Sequence, residues 1–175
     1  MKVYTKTGDN KQTSIIGQRI DKDSLRIECY GTTDEALSYI GLIATKNDEL
    51  LIKEQLEYII KLFFNIGNDL ASINKDNYKI NNEDVIKIES FIDLLSKDIP
   101  ELTSFIGPQG CDLSCYCNIT RTIIRRSERL IVALSKQEDI NEIILKLINR
   151  LSDYFFTLMR YFNNKYNFKE HMITF

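Results

Sequence analysis

The sequence predicts an all-α fold, a five-helix up-and-down bundle preceded by a structured N-terminal loop. Three observations carry this expectation. After residue 31, apolar residues recur at spacings of three and four through the helical segments, five in all. No segment makes a strong strand run. Gly8, Gly17 and Gly31 interrupt the first 31 residues, which hold no sustained helical period. With 175 residues and 43% hydrophobic content, one well-buried core is the natural arrangement. The chain is therefore read as a single domain, with residues 1–31 as the loop, 32–166 as the bundle and 167–175 as a tail.

Taken in order, the run Tyr4-Thr5-Lys6-Thr7-Gly8-Asp9 with Lys11, Thr13 and Ser14 supplies hydroxyls, ammonium groups and backbone amides. These are the parts of a phosphate cradle, although a plain polar loop has the same composition and no Walker motif is present. Thr32-x-x-Glu35 has the form of a capping box, and Leu37, Ile40, Gly41 and Ala44 follow on one face, so a first helix is expected from Thr32 to about Lys46. Asp34 would then sit in its first turn, favourable to the helix dipole. Leu56, Ile59, Phe63, Ile66 and Leu70 mark a second helix over 48–71, and Val85, Ile88, Ile92 and Leu95 a third that stops before Pro100. Gly107, Pro108 and Gly110 impose a turn just after Phe105, a residue that could simply plug the core.

The fourth helix, 111–136, carries the most concentrated charge. Arg121, Arg125 and Arg129 are four apart and form one column, with Arg126 beside it and Glu128 close by. Such a column is either a solvated face or a site for a polyanion, since the guanidinium fork donates in pairs to phosphate oxygens. The fifth helix, about 139–166, has Ile144, Leu147, Leu151, Phe155, Leu158 and Phe162 as a bundle stripe. Its other face holds Asn149, Asp153 and Arg160 beside Arg150, where interhelical hydrogen bonds are the plain reading.

The formal charge of −2, without a basic tail, argues against a nucleic-acid partner. No apolar run suits a signal region or a bilayer span, so a cytoplasmic protein with no membrane partner is expected. Cys29, Cys111, Cys115 and Cys117 are read as thiols, mostly as small buried hydrophobes. Their C-x3-C-x-C spacing fits no usual zinc pattern. His171 is the sole histidine, which excludes HExxH and the histidines of a di-iron bundle and leaves any protein-bound metal unknown.

Three pieces stand together in order: YTKTGD, RTIIRRSER and NRLSDYFFTLMRY. With RIECYGTTDEALSYIG and FIGPQG they resemble the PduO-type ATP:cob(I)alamin adenosyltransferases over nearly the whole chain. The resemblance implies a five-helix bundle assembled as a homotrimer with active sites between subunits. It places ATP on Thr5, Lys6, Thr7, Gly8, Thr13, Ser14, Lys22, Arg125, Arg126, Glu128, Arg129 and Asn149, so that loop and basic column are halves of one site. It also implies that Asp34 pairs with Arg121 across the subunit boundary, and that Phe105 sits below the corrin ring, where it displaces the lower ligand of cobalt.

The implied reaction is attack of the Co(I) of cob(I)alamin on C5′ of ATP. Adenosylcobalamin forms, triphosphate leaves, and Mg²⁺ is the companion ion. A corrinoid reductase and an adenosylcobalamin-dependent enzyme are the partners such chemistry would serve. The chain departs from the family pattern at Asp9-Asn10-Lys11-Gln12 in place of D-K-G, at the single Gly17 before Lys22, at Gln109-Gly110-Cys111 in the turn, at Asn118 in place of His and at Ser127 in place of Ala. The disturbed loop keeps a second function open, that of a non-catalytic nucleotide- or adenosylcobalamin-binding relative. A plain interaction bundle is the third.

Overall fold

The computed structural model describes residue 4 and residues 6–173. Two short strands, β1 (Gln12–Ile15) and β2 (Gln18–Asp21), pair antiparallel, and five helices follow: α1 (Leu25–Lys46), α2 (Leu50–Ala71), α3 (Asn82–Ser96), α4 (Asp112–Ser135) and α5 (Ile143–Lys165). The helices neighbour one another in the order α2, α1, α4, α5, α3, so α4 lies between α1 and α5. The stripes read from periodicity form the core. All six residues of the α5 stripe are 0% exposed, and the α2 stripe is buried along its length. Each such side chain contributes about 1.5–3 kcal/mol through the area it removes from water.

Two features differ from the sequence expectation. The N-terminal segment is not loop throughout: a hairpin occupies 12–21, and α1 begins at Leu25 instead of Thr32. Strands of four residues in a half-exposed ribbon leave too few apolar positions for a period-two signal. The cap of α1 is Ser24, whose hydroxyl oxygen accepts from the Ile27 amide. Thr32 and Thr33 lie inside the helix, where the Thr33 hydroxyl donates to the Tyr30 carbonyl. The extra turns form because burial overrides the local signal: Cys29 is 0% exposed, and the buried Arg26 donates to Leu70 O (2.6 Å), Glu138 Oε2 (2.8 Å) and Asp139 O (3.2 Å). Asp34 is consequently on the third turn of α1, beyond the reach of the helix N-terminus.

The hairpin is tied to the bundle at its tip. Ile16 N donates to Ala71 O at 3.0 Å, and Gly17 takes the turn with φ +98°, a conformation open to glycine. At the far end, Asn167 (φ 58°) terminates α5 in the left-handed region, and the chain returns along residues 105–107. The cysteines are free thiols, Cys29 and Cys117 in the core and Cys111 and Cys115 half-buried. No helix among the described residues is long and apolar enough to cross a membrane.

Candidate functional site

The basic column stands on α4 because the opposite side of that helix is core. Ile123, Ile124, Ser127 and Ile131 are buried, which turns Arg125, Arg126 and Arg129 outward. Arg126 is ion-paired with Glu35 of α1. Arg125 and Arg129 make no hydrogen bond or ion pair among the described residues, so their donors are available to an anion. Arg121 is half-buried: its Nε donates to Asn118 Oδ1 (3.0 Å), and its guanidinium lies 5.9 Å from the Phe156 ring centre. Desolvation, then the charge of Arg125, pull its pKa down, as expected where cations are crowded without counter-charge.

α5 contributes a polar row beside the column. Asn149 Nδ2 donates to Glu128 Oε1 (3.1 Å), Arg150 Nη1 to Asn149 Oδ1 (2.9 Å), and Arg150 Nε to Glu89 Oε1 (2.7 Å). Glu128 and Asn149 are thus fixed by one another. Asp153 faces the same place. Desolvation raises its pKa, with Arg150 opposing, Glu128 reinforcing and Arg125 opposing more weakly.

The loop half of the expected site is built around Lys22. A Cβ added to Gly8 would lie 3.1 Å from Lys22 Nζ, so the ammonium group rests against the glycine backbone. Arg19 Nη2 donates to Thr7 O (2.6 Å), and Lys22 N to Lys11 O (2.9 Å), which closes the loop on the hairpin. Lys22 borders two openings. One, of about 690 Å³, is also lined by Thr13, Ser14, Arg26 and Tyr30; the other, of about 680 Å³, by Gly8, Asp9 and Lys11. Lys6 and Thr7 are exposed in the same loop, whereas Thr5 lies outside the described residues. Lys11 takes φ 64° at the position of the altered D-K-G pattern, a backbone conformation better suited to glycine.

No hydrogen bond or ion pair among the described residues joins this loop to the Arg column. Likewise Asp34 and Arg121 do not pair within the chain. Asp34 is exposed beside Tyr30, Leu37 and Phe64, the last 68% exposed. Phe105 is 75% exposed and so does not plug the core. Its turn is anchored from α5: the buried Asn163 accepts from Cys111 N and donates to Gln109 O, both at 3.2 Å. Gly110 packs so closely on that amide that a Cβ would lie 1.9 Å from Asn163 Oδ1.

Sequence reasoning read Glu35 as a capping-box acid, whereas it pairs with Arg126, and it passed over Glu89 and Asn163, which carry no recognisable motif. Helical spacing could have offered Glu89 only as a surface acid. Among the described residues, no group of three or more His, Cys, Asp or Glu converges as a metal site.

The family model described as cobalamin adenosyltransferase matches residues 3–162. A corrinoid adenosyltransferase of Bacillus subtilis (strain 168) is 46% identical over 169 residues, covering 93% of this chain and 87% of the relative. One from Citrobacter freundii is 34% identical, covering 91% and 93%. Among solved structures, a variant PduO-type ATP:corrinoid adenosyltransferase from Lactobacillus reuteri, complexed with cobalamin and ATP, superposes with a TM-score of 0.94 at 36% identity, covering 99% of this chain and 100% of the other.

Proposed function

The chain belongs to the cobalamin adenosyltransferase family, and on that premise we propose that it transfers the 5′-deoxyadenosyl group of ATP to the Co(I) of cob(I)alamin, forming adenosylcobalamin and releasing triphosphate. The observation that carries the reading is the outward Arg column, with Arg125 and Arg129 unpartnered among the described residues beside the Glu128–Asn149 pair. The Co(I) electron pair forms the bond to C5′. The C5′–O bond breaks, and its electrons leave on the triphosphate. The protein needs no nucleophile of its own, because the substrate metal supplies it.

What the protein supplies is position and charge. Arg125, Arg126 and Arg129 hold the triphosphate, together with the loop residues Thr5, Lys6, Thr7, Gly8, Thr13, Ser14 and Lys22. Donors already in place stabilise the growing negative charge more in the transition state than in the bound substrate. Mg²⁺ accompanies the triphosphate. Glu128, the carboxylate of the assigned ATP set, would help to hold the ion, which would supply charge neutralisation for the leaving triphosphate.

Among the described residues, none of the bonds described above joins the loop to the column, and the reading places each active site between subunits of a homotrimer. The exposed Asp34 of one subunit then pairs with the crowded Arg121 of the next. Phe105, exposed on its turn, presses on the lower corrin face. The whole chain, 1–175, acts as one domain in the cytoplasm, alongside a corrinoid reductase and an adenosylcobalamin-dependent enzyme. Anaerobic incubation with ATP and cob(I)alamin, followed by the visible spectrum, tests this. The adenosylcobalamin spectrum is expected; binding of ATP and corrin with no new spectrum would contradict catalysis and favour a binding relative.

A further inference from the structure

Asn118 stands out in the sequence as a departure from the family pattern, and the proposed chemistry gives it no task. It lies on α4 one turn before Arg121 and, like it, is half-buried. Its Oδ1 accepts from Arg121 Nε at 3.0 Å. The central carbon of the same guanidinium lies 5.9 Å from the ring centre of Phe156, which α5 contributes. The amide therefore holds one edge of the planar group while the aromatic ring attracts it from a second helix. Two contacts from different sides leave the guanidinium little freedom to turn.

The far end of Arg121 is left open by this arrangement. With Nε engaged, the donors on Nη1 and Nη2 make no hydrogen bond or ion pair among the described residues. No carboxylate offsets the charge either: desolvation first and the charge of Arg125 second pull the pKa down, with no acid opposing them. Asn118 is a neighbour that preserves this state. An amide oxygen accepts a bond without net charge, whereas a carboxylate at the same place would engage the Nη donors and neutralise the cation within the chain. An undiminished charge with a fixed direction suits a carboxylate that arrives from outside the chain, because the guanidinium fork donates in pairs and rewards alignment.

We propose that Asn118 is a positioning residue for Arg121: its neutral amide holds Nε so that the Nη end of the guanidinium is presented, fully charged, to the acid of the neighbouring subunit. The inference rests on the Asp34–Arg121 pairing in the proposed function and adds the residue that gives that pair its direction. Asn118 acts through Arg121 and touches no substrate in this role.

Two variants and a double-mutant cycle test it. Asn118→Ala removes the acceptor, and KM for the corrin should rise about tenfold, the scale of a hydrogen bond to a charged group, with KM for ATP within about twofold of wild type. Asn118→Asp keeps an acceptor of the same length and adds an acid–Arg pair one turn apart, which supports a helix, so a merely structural role would leave KM for the corrin at or below the wild-type value. The positioning role predicts a rise of about threefold or more, because the charge of Arg121 is then shared within the chain. The helical circular-dichroism spectrum should stay unchanged in both. Asn118→Ala placed on Asp34→Asn should add less than about twofold to the KM for the corrin of Asp34→Asn alone, since both act through one pair. A wild-type KM for the corrin in either Asn118 variant, or full additivity in the cycle, would overturn the role of Asn118 and leave the pairing standing. An Asp34→Asn variant with wild-type assembly and corrin binding would overturn the pairing, and this inference with it. Failure of the wild type to form adenosylcobalamin at all would instead overturn the proposed function.

Discussion

The basic face of α4 and α5 and the Phe105 turn are built on opposite principles. Arg125, Arg126 and Arg129 are placed by helical geometry: a buried row behind them fixes the helix, and the helix fixes them. Phe105 lies on a turn outside the helices, not on a helix backed by a buried row. It is exposed, and its backbone is held by Asn163 and by the returning tail. The first region tolerates change in its neighbours and depends on its own charges. The second depends on contacts far away in sequence, so distant substitutions should disturb it.

The sharpest contrast comes from the two central side chains. Arg125→Ala should reduce turnover by roughly 100-fold or more, as loss of a preorganised donor to developing charge does, while the helical circular-dichroism spectrum stays unchanged. Normal turnover in that variant would remove the phosphate role. Phe105→Ala should slow adenosylation from cob(II)alamin by roughly tenfold or more, since burying a Phe ring is worth about 1.5–3 kcal/mol, with ATP affinity near wild type. An ATP defect of equal size would mean that the two regions are not separable in this way.

A smaller effect is expected at Asp34, on the proposed boundary between subunits. Asp34→Asn should weaken the trimer or corrin binding by about tenfold, the scale of a hydrogen bond to a charged group, read by sedimentation and cobalamin titration. Values equal to wild type would break the Asp34–Arg121 pairing.

Ser127 sharpens the account of the α4 face itself. Its hydroxyl is buried in the core behind the Arg column and finds no partner among the described residues. Ser127→Ala should therefore raise stability by about 1 kcal/mol, or about 2–4 °C in Tm, without changing turnover. A loss of stability would show that the hydroxyl is satisfied in solution.

The least effect is chemical reactivity. Burial pushes the Cys29 thiol up to about 11 and the Cys117 thiol well above its ordinary value. Burial raises the Cys111 thiol too, so access decides: alkylation of native protein should spare Cys29 and Cys117, enclosed in the core, and reach the half-buried Cys111 and Cys115, as peptide mass analysis would show. Rapid labelling of Cys117 would contradict the packing of α4.

The same contrast explains what could be read from the sequence. The α5 stripe from Ile144 to Phe162 and the α4 column are periodic, so five helices and the outward Arg residues were legible. The start of α1 was not, because Thr32 and Glu35 mimic a cap while Arg26 and Cys29, whose burial extends the helix, carry no local signal of it. The hairpin was missed because four-residue strands hold too little pattern. The motif order identified the candidate residues around Phe105, but their support from Asn163 and the tail is a matter of tertiary return, which spacing does not encode.

The central claim is that the Arg column receives an intact triphosphate as cobalt takes the adenosyl carbon. It is tested most directly by separating the phosphate products of an anaerobic reaction with ATP and cob(I)alamin, alongside the amount of adenosylcobalamin formed. The account predicts inorganic triphosphate in a one-to-one ratio with adenosylcobalamin. Pyrophosphate and phosphate as the initial products, or nucleotide cleavage that proceeds without the corrin, would contradict it.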